Sequence, residues 1–491
     1  MYEFTILFSG LPYGLLNFVD KVLCHFESCF SRKASFRWFV TITIGLMLRS
    51  DKLGVTSVIR DLALSPDCYA SIIHFFRASS WSLDNIILCW FSAVKKFAPL
   101  YKEGRFCVLV GDGVKQSKEG RRMPGVKKLF QESENSAKPG YIHGHMFGGL
   151  GILAGAARCW ACIPLSIRLH DGLKAAREWE GAAVSGDSHV VQMVENAYSA
   201  ARAFGDSLLL LDRYFLTVPV LKKLKALNCG AEVRMEIVTK AKRSCVAYEK
   251  PGPRRPGRGR PPKKGAAVHL KDLFVSHKGR FQEAEVRLYG KKEAIRYYCI
   301  DLLWGQNLYQ ELRFVLVEMN GVQSILASTC LELAPLAVIR LYSYRFRIES
   351  TFRELKQQTG AFWYRFWSKH MPKLSYYRKK EAPSPLEQVE DAKDRQNILK
   401  AVRATQMHMA LSCIAIGILQ ILSIIFDGEL ESSHLRYQRT PSRGRVSEAA
   451  LMHHMRKYLF LFMEKQPELR ITQIIQEQQD TSGIYWDSLA S

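Results

Sequence analysis

The sequence predicts an α/β chain: a mixed sheet with helices, interrupted by a β-rich insertion and preceded by a helical N-terminal domain. Three observations carry this. Short continuous apolar runs, residues 106–110 (FCVLV) and 207–211 (SLLLL), have the length and texture of buried strands, and helical patterns separate them. Residues 231–330 change to segments with polar alternation, the period of half-buried strands. Residues 1–100 carry few turn signals and several aromatic-rich amphipathic stretches, which is helical texture.

Taken in order, the strand at 106–110 ends at Gly111-Asp112-Gly113, and further strands are expected at 145–154 and 162–169. A helix is expected from about residue 189 to 204, then the strand at 207–211, ending at Asp212-Arg213-Tyr214-Phe215, then a helix at 218–227. Within 231–330, the segments AEVRMEIVTK, AEVRLYGKKEAIRYYCIDLLW, ELRFVLVEMN and QSILAS read as strands around a basic loop at 250–264. The helical pattern resumes near Ala334, and 369–393 is a charged, Pro-containing connector. An apolar helix at 400–426 closes the core; Ser412, Gln420 and Ser423 interrupt it, which favours a buried helix over a membrane span. The tail after 427 is polar, with a helical stretch at 448–464. The expected divisions are 1–100, 101–230, 231–330, 331–426 and 427–491.

At 491 residues the chain is long enough for several domains, and its 47% hydrophobic and 24% charged residues are those of a globular protein. Lys plus Arg exceed Asp plus Glu by 70 to 46, a net +24 that points to a polyanionic partner. A basic membrane-surface protein would need an amphipathic or lipidated anchor, and neither is evident. The twelve cysteines are scattered; Cys159 and Cys162 form a lone CxxC with no second pair at zinc-ligand spacing, so core thiols in a reducing compartment are expected. The N-terminal segment lacks the basic start and cleavage site of a secretory signal.

The most specific chemistry lies in residues 341–356, LYSYRFRIESTFRELK. Tyr342, Arg345, Glu349 and Lys356 follow at intervals of three, four and seven. At about 100° per helical residue they share an arc of roughly 60°. Leu341, Ile348, Phe352 and Leu355 form an adjacent apolar stripe. The expectation is one exposed face carrying an acid, two bases and a phenol; a solvated surface helix is the plainer alternative. Asp112 and Asp212 each follow a predicted buried strand, where α/β sheets present working groups. With Glu349 they could hold two Mg²⁺, since hard cations take oxygen ligands. Asp112 in an Asp-Gly turn and Asp212 as a helix cap are the simpler readings. Asp171, Asp187, Asp206 and Glu354 lack comparable placement.

The spacing Y-x2-R-x3-E-x6-K resembles the signature of the bacterial insertion-sequence transposases of IS family four, and it matches at all four positions. The resemblance covers roughly residues 105–365. It implies a ribonuclease-H-like catalytic core with an all-β insertion before the glutamate. It further implies that Asp112, Asp212 and Glu349 form a DDE triad holding two Mg²⁺ (Mn²⁺ substituting). Tyr342, Arg345 and Lys356 would contact phosphates at the transposon end, residues 1–100 would bind that end, and a homodimer would hold paired ends in a prokaryotic cytoplasm at the nucleoid. Arg213, beside Asp212, is a further candidate to face DNA. Two departures stand out. QSILAS lacks the Trp that some members stack on a flipped base, leaving Trp304 as the nearest candidate, and the segment after Asp212 reads RYF without a glycine.

The loop at 250–264 has seven Lys or Arg and no acid, and its Arg258-Gly259-Arg260-Pro261 resembles an AT-hook that lies in a narrow minor groove. A flexible solvated loop with non-specific DNA affinity explains it equally well. Two further readings of the whole chain remain beside a DDE transposase: a DNA-binding or degenerate protein without catalysis, and a ribonuclease-H-like nuclease without strand transfer. Metal-dependent cleavage separates the catalytic readings from the first of these. Three carboxylates beside DNA-facing cations favour catalysis, because acids oppose phosphate unless a metal lies between them.

Overall fold

The structure is a computed structural model describing residues 11–51, 54–131, 139–156, 159–181, 188–252, 261–375, 384–426 and 446–479. It opens with helices α1 (Leu11–Cys24), α2 (Lys33–Leu48), α3 (Thr56–Asp61), α4 (Cys68–Arg77) and α5 (Leu83–Phe97). Strands β1 (Lys102–Glu103), β2 (Phe106–Ser117), β3 (Lys127–Phe130), β4 (Tyr141–Ala156) and β5 (Cys159–Leu169) follow. Next come α6 (Lys174–Trp179), α7 (His189–Phe204), β6 (Ser207–Leu210), α8 (Val218–Asn228) and β7 (Met235–Lys240). The next stretch holds β8 (Val246–Tyr248), β9 (Ala267–His269), α9 (Leu273–Ser276), β10 (Gln282–Leu288), β11 (Lys291–Trp304), β12 (Gln310–Met319) and β13 (Val322–Ser328). Helices α10 (Pro335–Tyr344), α11 (Arg347–Gln357), α12 (Ala392–Ile425), α13 (Glu448–Lys465) and α14 (Arg470–Gln476) complete it.

The strands form one mixed sheet, ordered β3-β4-β2-β6-β7-β13-β12-β11-β8-β9, with β1, β5 and β10 pairing β2, β4 and β11. Among the described residues, only β2–β6 and β6–β7 pair in parallel. These three central strands are covered on both faces, which is why their sequences read as continuous apolar runs. Two sequence expectations change here. β7, from the AEVRMEIVTK segment, lies parallel to β6 instead of inside a separate sheet, and β13 pairs with β7, so the core and the later strands share one sheet. β2 also runs on through Asp112 to Ser117, because β4 pairs with it residue by residue from Leu109↔Ile152 to Ser117↔Gly144. The Gly-Asp-Gly triplet is therefore strand and not turn.

Helix α7 packs on β2 and β4, while α11 packs on β5 and β2. Helix α12, the longest, lies along β5 and against α2, α4 and α5. Among the described residues it is the one helix long and apolar enough to cross a membrane, and 89% of its most apolar window is buried inside the protein. Asp391 caps it, its side chain accepting from the Asp394 amide at 2.8 Å. A second apolar cluster lies on one face of the β11–β12–β13 strands. Leu312, Phe314 and Leu316 point into it, whereas Val315 and Val317 join the main core, as the two-residue period of a strand requires.

Candidate active site

Parallel pairing of β2 with β6 sets Val110 opposite Leu210. Continuing that register by two residues brings Asp112 level with Asp212, near enough for Asp212 to help raise the Asp112 carboxyl. On this side the ladder has ended, so both carboxylates stand where the two strands diverge. Asp212 also caps the short turn Arg213–Phe215, accepting from the Arg213 amide at 2.7 Å; its backbone carbonyl accepts from Thr239 Oγ1 at 2.9 Å. Cap and candidate ligand are thus compatible uses of one side chain.

Glu349 reaches the same place through a close approach of helix to sheet. Opposite Asp112 on β4 lies Gly149. A Cβ there would stand 2.4 Å from Phe352 of α11, so the missing side chain is the space that Phe352 fills. Thr351 Oγ1 donates to the Cys162 carbonyl of β5 at 2.7 Å and fixes the helix along its length. Glu349, one turn before, then lies beside Asp112.

Arg345 ties the cluster together. Its guanidinium donates to Asp112 Oδ2 at 3.1 Å and to Glu349 Oε1 at 2.5 Å, with 16% of its side chain exposed. Burial pushes the Asp112 carboxyl up to about 6, against the pull of Arg345 and of the Gly113 amide, with Asp212 and Glu349 adding to the rise. Burial would lower the Arg345 guanidinium, but Asp112, Tyr342, Glu349 and Asp212 outweigh it and raise its pKa. Tyr342 is half-buried; burial holds its hydroxyl protonated, with Asp212 and Asp112 among the neighbours that reinforce this, so it keeps a proton to donate. Lys356 lies 5.5 Å from the Phe362 ring, farther along α11.

The single exposed face expected for Tyr342, Arg345, Glu349 and Lys356 is corrected in two respects. The helix is broken: α10 ends at Tyr344 and α11 starts at Arg347, linked by three-residue bonds from Arg345 N to the Tyr342 carbonyl (3.1 Å) and from Glu349 N to the Phe346 carbonyl (3.0 Å). Such turns advance about 120° per residue instead of 100°, which rotates the later residues relative to Tyr342. Of the four side chains only Glu349 is exposed, because Arg345 is drawn inward by the carboxylates. Arg258 and Arg260 lie outside the described residues. Arg213 is exposed beside Asp212. Trp304 is partly buried against the second apolar cluster, as a core residue would be.

Sequence reasoning passed over the polar group behind β2. His170 Nδ1 and His189 Nδ1 lie 2.8 Å apart, and Asn196 Nδ2 donates to His170 Nε2 at 2.8 Å. With that nitrogen accepting, His170 Nδ1 carries the proton and donates to His189. The pair fills the room left by two glycines: a Cβ on Gly113 would meet His189 Nε2 at 2.8 Å, and one on Gly148 would meet His170 at 1.8 Å. The glycine richness of GDG and of residues 148–151 was the signal that something packs closely there.

Among the described residues, no three His, Cys, Asp or Glu side chains are gathered as a ready metal-ligand set. The donors nevertheless suit a hard divalent cation: all are carboxylate oxygens, on two strands and a helix, and their mutual repulsion is answered here by Arg345.

This fold and acid cluster define a ribonuclease-H-like α/β core. Residues 25–292 match the family model described as DDE superfamily endonuclease, and the chain belongs to that family. The match includes Asp112 and Asp212 and ends before Glu349. No curated protein and no solved structure matches the chain.

Proposed function

We propose that this endonuclease-family protein is a DNA transposase of the IS family four type, cleaving at the ends of an insertion sequence and joining them to target DNA. The observation that carries the reading is the convergence of Asp112 and Glu349 on Arg345, with Asp212 level with Asp112 on the next strand. Asp112, Asp212 and Glu349 are the residues to hold two Mg²⁺, with Mn²⁺ as a substitute. Bound there, the ions would activate a water and neutralise charge on the phosphate. Arg345 is the group that changes partners: a guanidinium that meets two carboxylates also fits phosphate bidentately. Tyr342 donates a hydrogen bond to the DNA backbone, and Lys356, about 10 Å beyond Glu349 along α11, acts as a point charge. Arg258 and Arg260 would add minor-groove attraction. Residues 1–100 would bind the terminal inverted repeat, and a homodimer would hold two ends together, in the cytoplasm at the nucleoid.

The test is cleavage of a labelled duplex carrying the element's own end, under Mg²⁺, by wild type and by Glu349→Gln. Cleavage by wild type, reduced at least a thousandfold in the variant while duplex binding persists, is the expected result. Binding by both without cleavage in Mg²⁺ or Mn²⁺ would make the chain a DNA-binding or degenerate member. Cleavage without joining would make it a nuclease.

A further inference from the structure

Past the carboxylates, β2 and the segment after α11 together wall a cleft of about 670 Å³. Trp363 and Trp367 open into it, 49% and 56% exposed. Their exposure is a constructed feature. Along 363–367 burial alternates: Trp363, Arg365 and Trp367 face out, while Tyr364 is buried and Phe366 half-buried. Tyr364 hydrogen-bonds His145 Nδ1, whose Nε2 donates to the Pro124 carbonyl at 2.8 Å. Lys118 Nζ sits 3.6 Å above the Tyr364 ring and donates to the Phe362 and Tyr364 carbonyls at 2.6 and 3.0 Å. Phe366 packs on Phe76 at 5.3 Å between ring centres. The inward residues thus fix the backbone, and the two indoles stay exposed with exposed Arg365 between them in sequence.

We infer that this cleft is a binding site for unpaired DNA, in which bases stack on Trp363 and Trp367 while cations hold the phosphates. Among the described residues, Arg121, Arg122, Arg365 and Lys373 line it against one acid, Glu119. Arg122 spends its hydrogen bonds on the Lys369 and Met371 carbonyls, which leaves its charge uncompensated by them. Such a charge balance selects a polyanion, and two exposed indoles select one with π faces; duplex DNA keeps its bases inside the stack. The location fits. Asp112 lies four residues before Gln116 on β2, about 13 Å away along the strand, and α11 runs from Glu349 to Lys356, whose ammonium lies near Phe362 at the cleft wall. A strand leaving the carboxylates along Lys356 enters the cleft. The assignment deepens the DNA-processing reading and rests on it.

The experiment measures binding of a fluorescein-labelled twelve-residue oligothymidylate, and separately of a duplex, in EDTA by anisotropy. Wild type, Trp363→Ala, Trp367→Ala, Trp363→Phe and Arg365→Glu are compared, each with its thermal midpoint. Each alanine change is expected to weaken oligothymidylate binding about tenfold, with duplex binding within twofold and Trp363→Phe near wild type. Arg365→Glu, which leaves both indoles in place, should weaken it comparably. Unchanged oligothymidylate affinity, or equal loss on duplex, overturns the assignment. Because no metal is present, the result is independent of catalysis. Trp-dependent binding without end cleavage by wild type leaves the cleft standing and the transposase reading fallen, and end cleavage without Trp-dependent binding does the reverse.

Discussion

Arg345 is the residue on which the site's balance turns. It neutralises two carboxylates, one of them, Asp112, with only 21% of its side chain exposed. Removing one partner of such a pair leaves a poorly solvated charge, which is worse than losing both. Arg345→Ala should therefore destabilise the protein by about 2 kcal/mol, and Asp112→Asn in the same chain should recover most of that loss. Urea unfolding of the two singles and the double measures it; additive losses would mean that the pair contributes nothing. Arg345 and Glu349 were legible as candidates from their helical spacing, and Asp112 and Asp212 from their places after apolar runs. That Arg345 bridges two acids was not, because helical spacing predicts Glu349 as its neighbour but says nothing of a strand residue more than two hundred positions earlier.

At the scale of elements, the decisive contact is α11 on β4. Phe352 occupies the space above Gly149, and this sets how near Glu349 comes to Asp112. Gly149→Ala places a methyl where Phe352 must yield, at a cost of about 1–3 kcal/mol. The helix should lift, and cleavage should fall at least tenfold while duplex binding is retained. Wild-type cleavage in that variant would show that the height of α11 is not critical. Strand and helix positions were largely legible: α7 matches the expected 189–204 span, and α13 begins at the expected residue. The break between α10 and α11 was not, since no Pro or Gly marks it and the pull of Asp112 on Arg345 is a tertiary effect.

Across the whole molecule, buried histidines set the response to acid. Burial lowers His145, His170 and His408 to about 3, each with under 4% of its surface exposed. A group whose folded pKa is depressed below its unfolded value of 6.5 binds more protons when unfolded, so its contribution is full above pH 6.5 and declines as pH falls towards 3. At pH 5 each withdraws about 2 kcal/mol, and the three together rival the stability of an ordinary domain. Asp112, raised to about 6, acts in the opposite direction between its unfolded 3.8 and 6, as do Asp20 and Glu354, which burial also raises, while His189, lowered to about 4, adds to the histidine side. The thermal midpoint should therefore drop steeply between pH 6 and pH 4. His408→Phe, whose ring would sit against Phe76 and Phe366 as the imidazole does, should take up about one proton fewer on unfolding across that range. An unaltered slope in that variant would remove His408 from the account.

Local chemistry was enough to determine the fold class, the order of strands and helices and the basic character, and to nominate the three acids and the bases as candidates, because each depends on periodicity, charge or spacing within a short window of sequence. The tertiary structure decided the rest: the parallel register that sets Asp112 level with Asp212, the continuity of β7 and β13 that merges the strands into one sheet, and the glycine gap that lowers α11 onto the carboxylates. It also decided that Trp363 and Trp367 face outward beside arginines, since single exposed aromatics carry no signal in sequence until packing shows which side of the chain is already full.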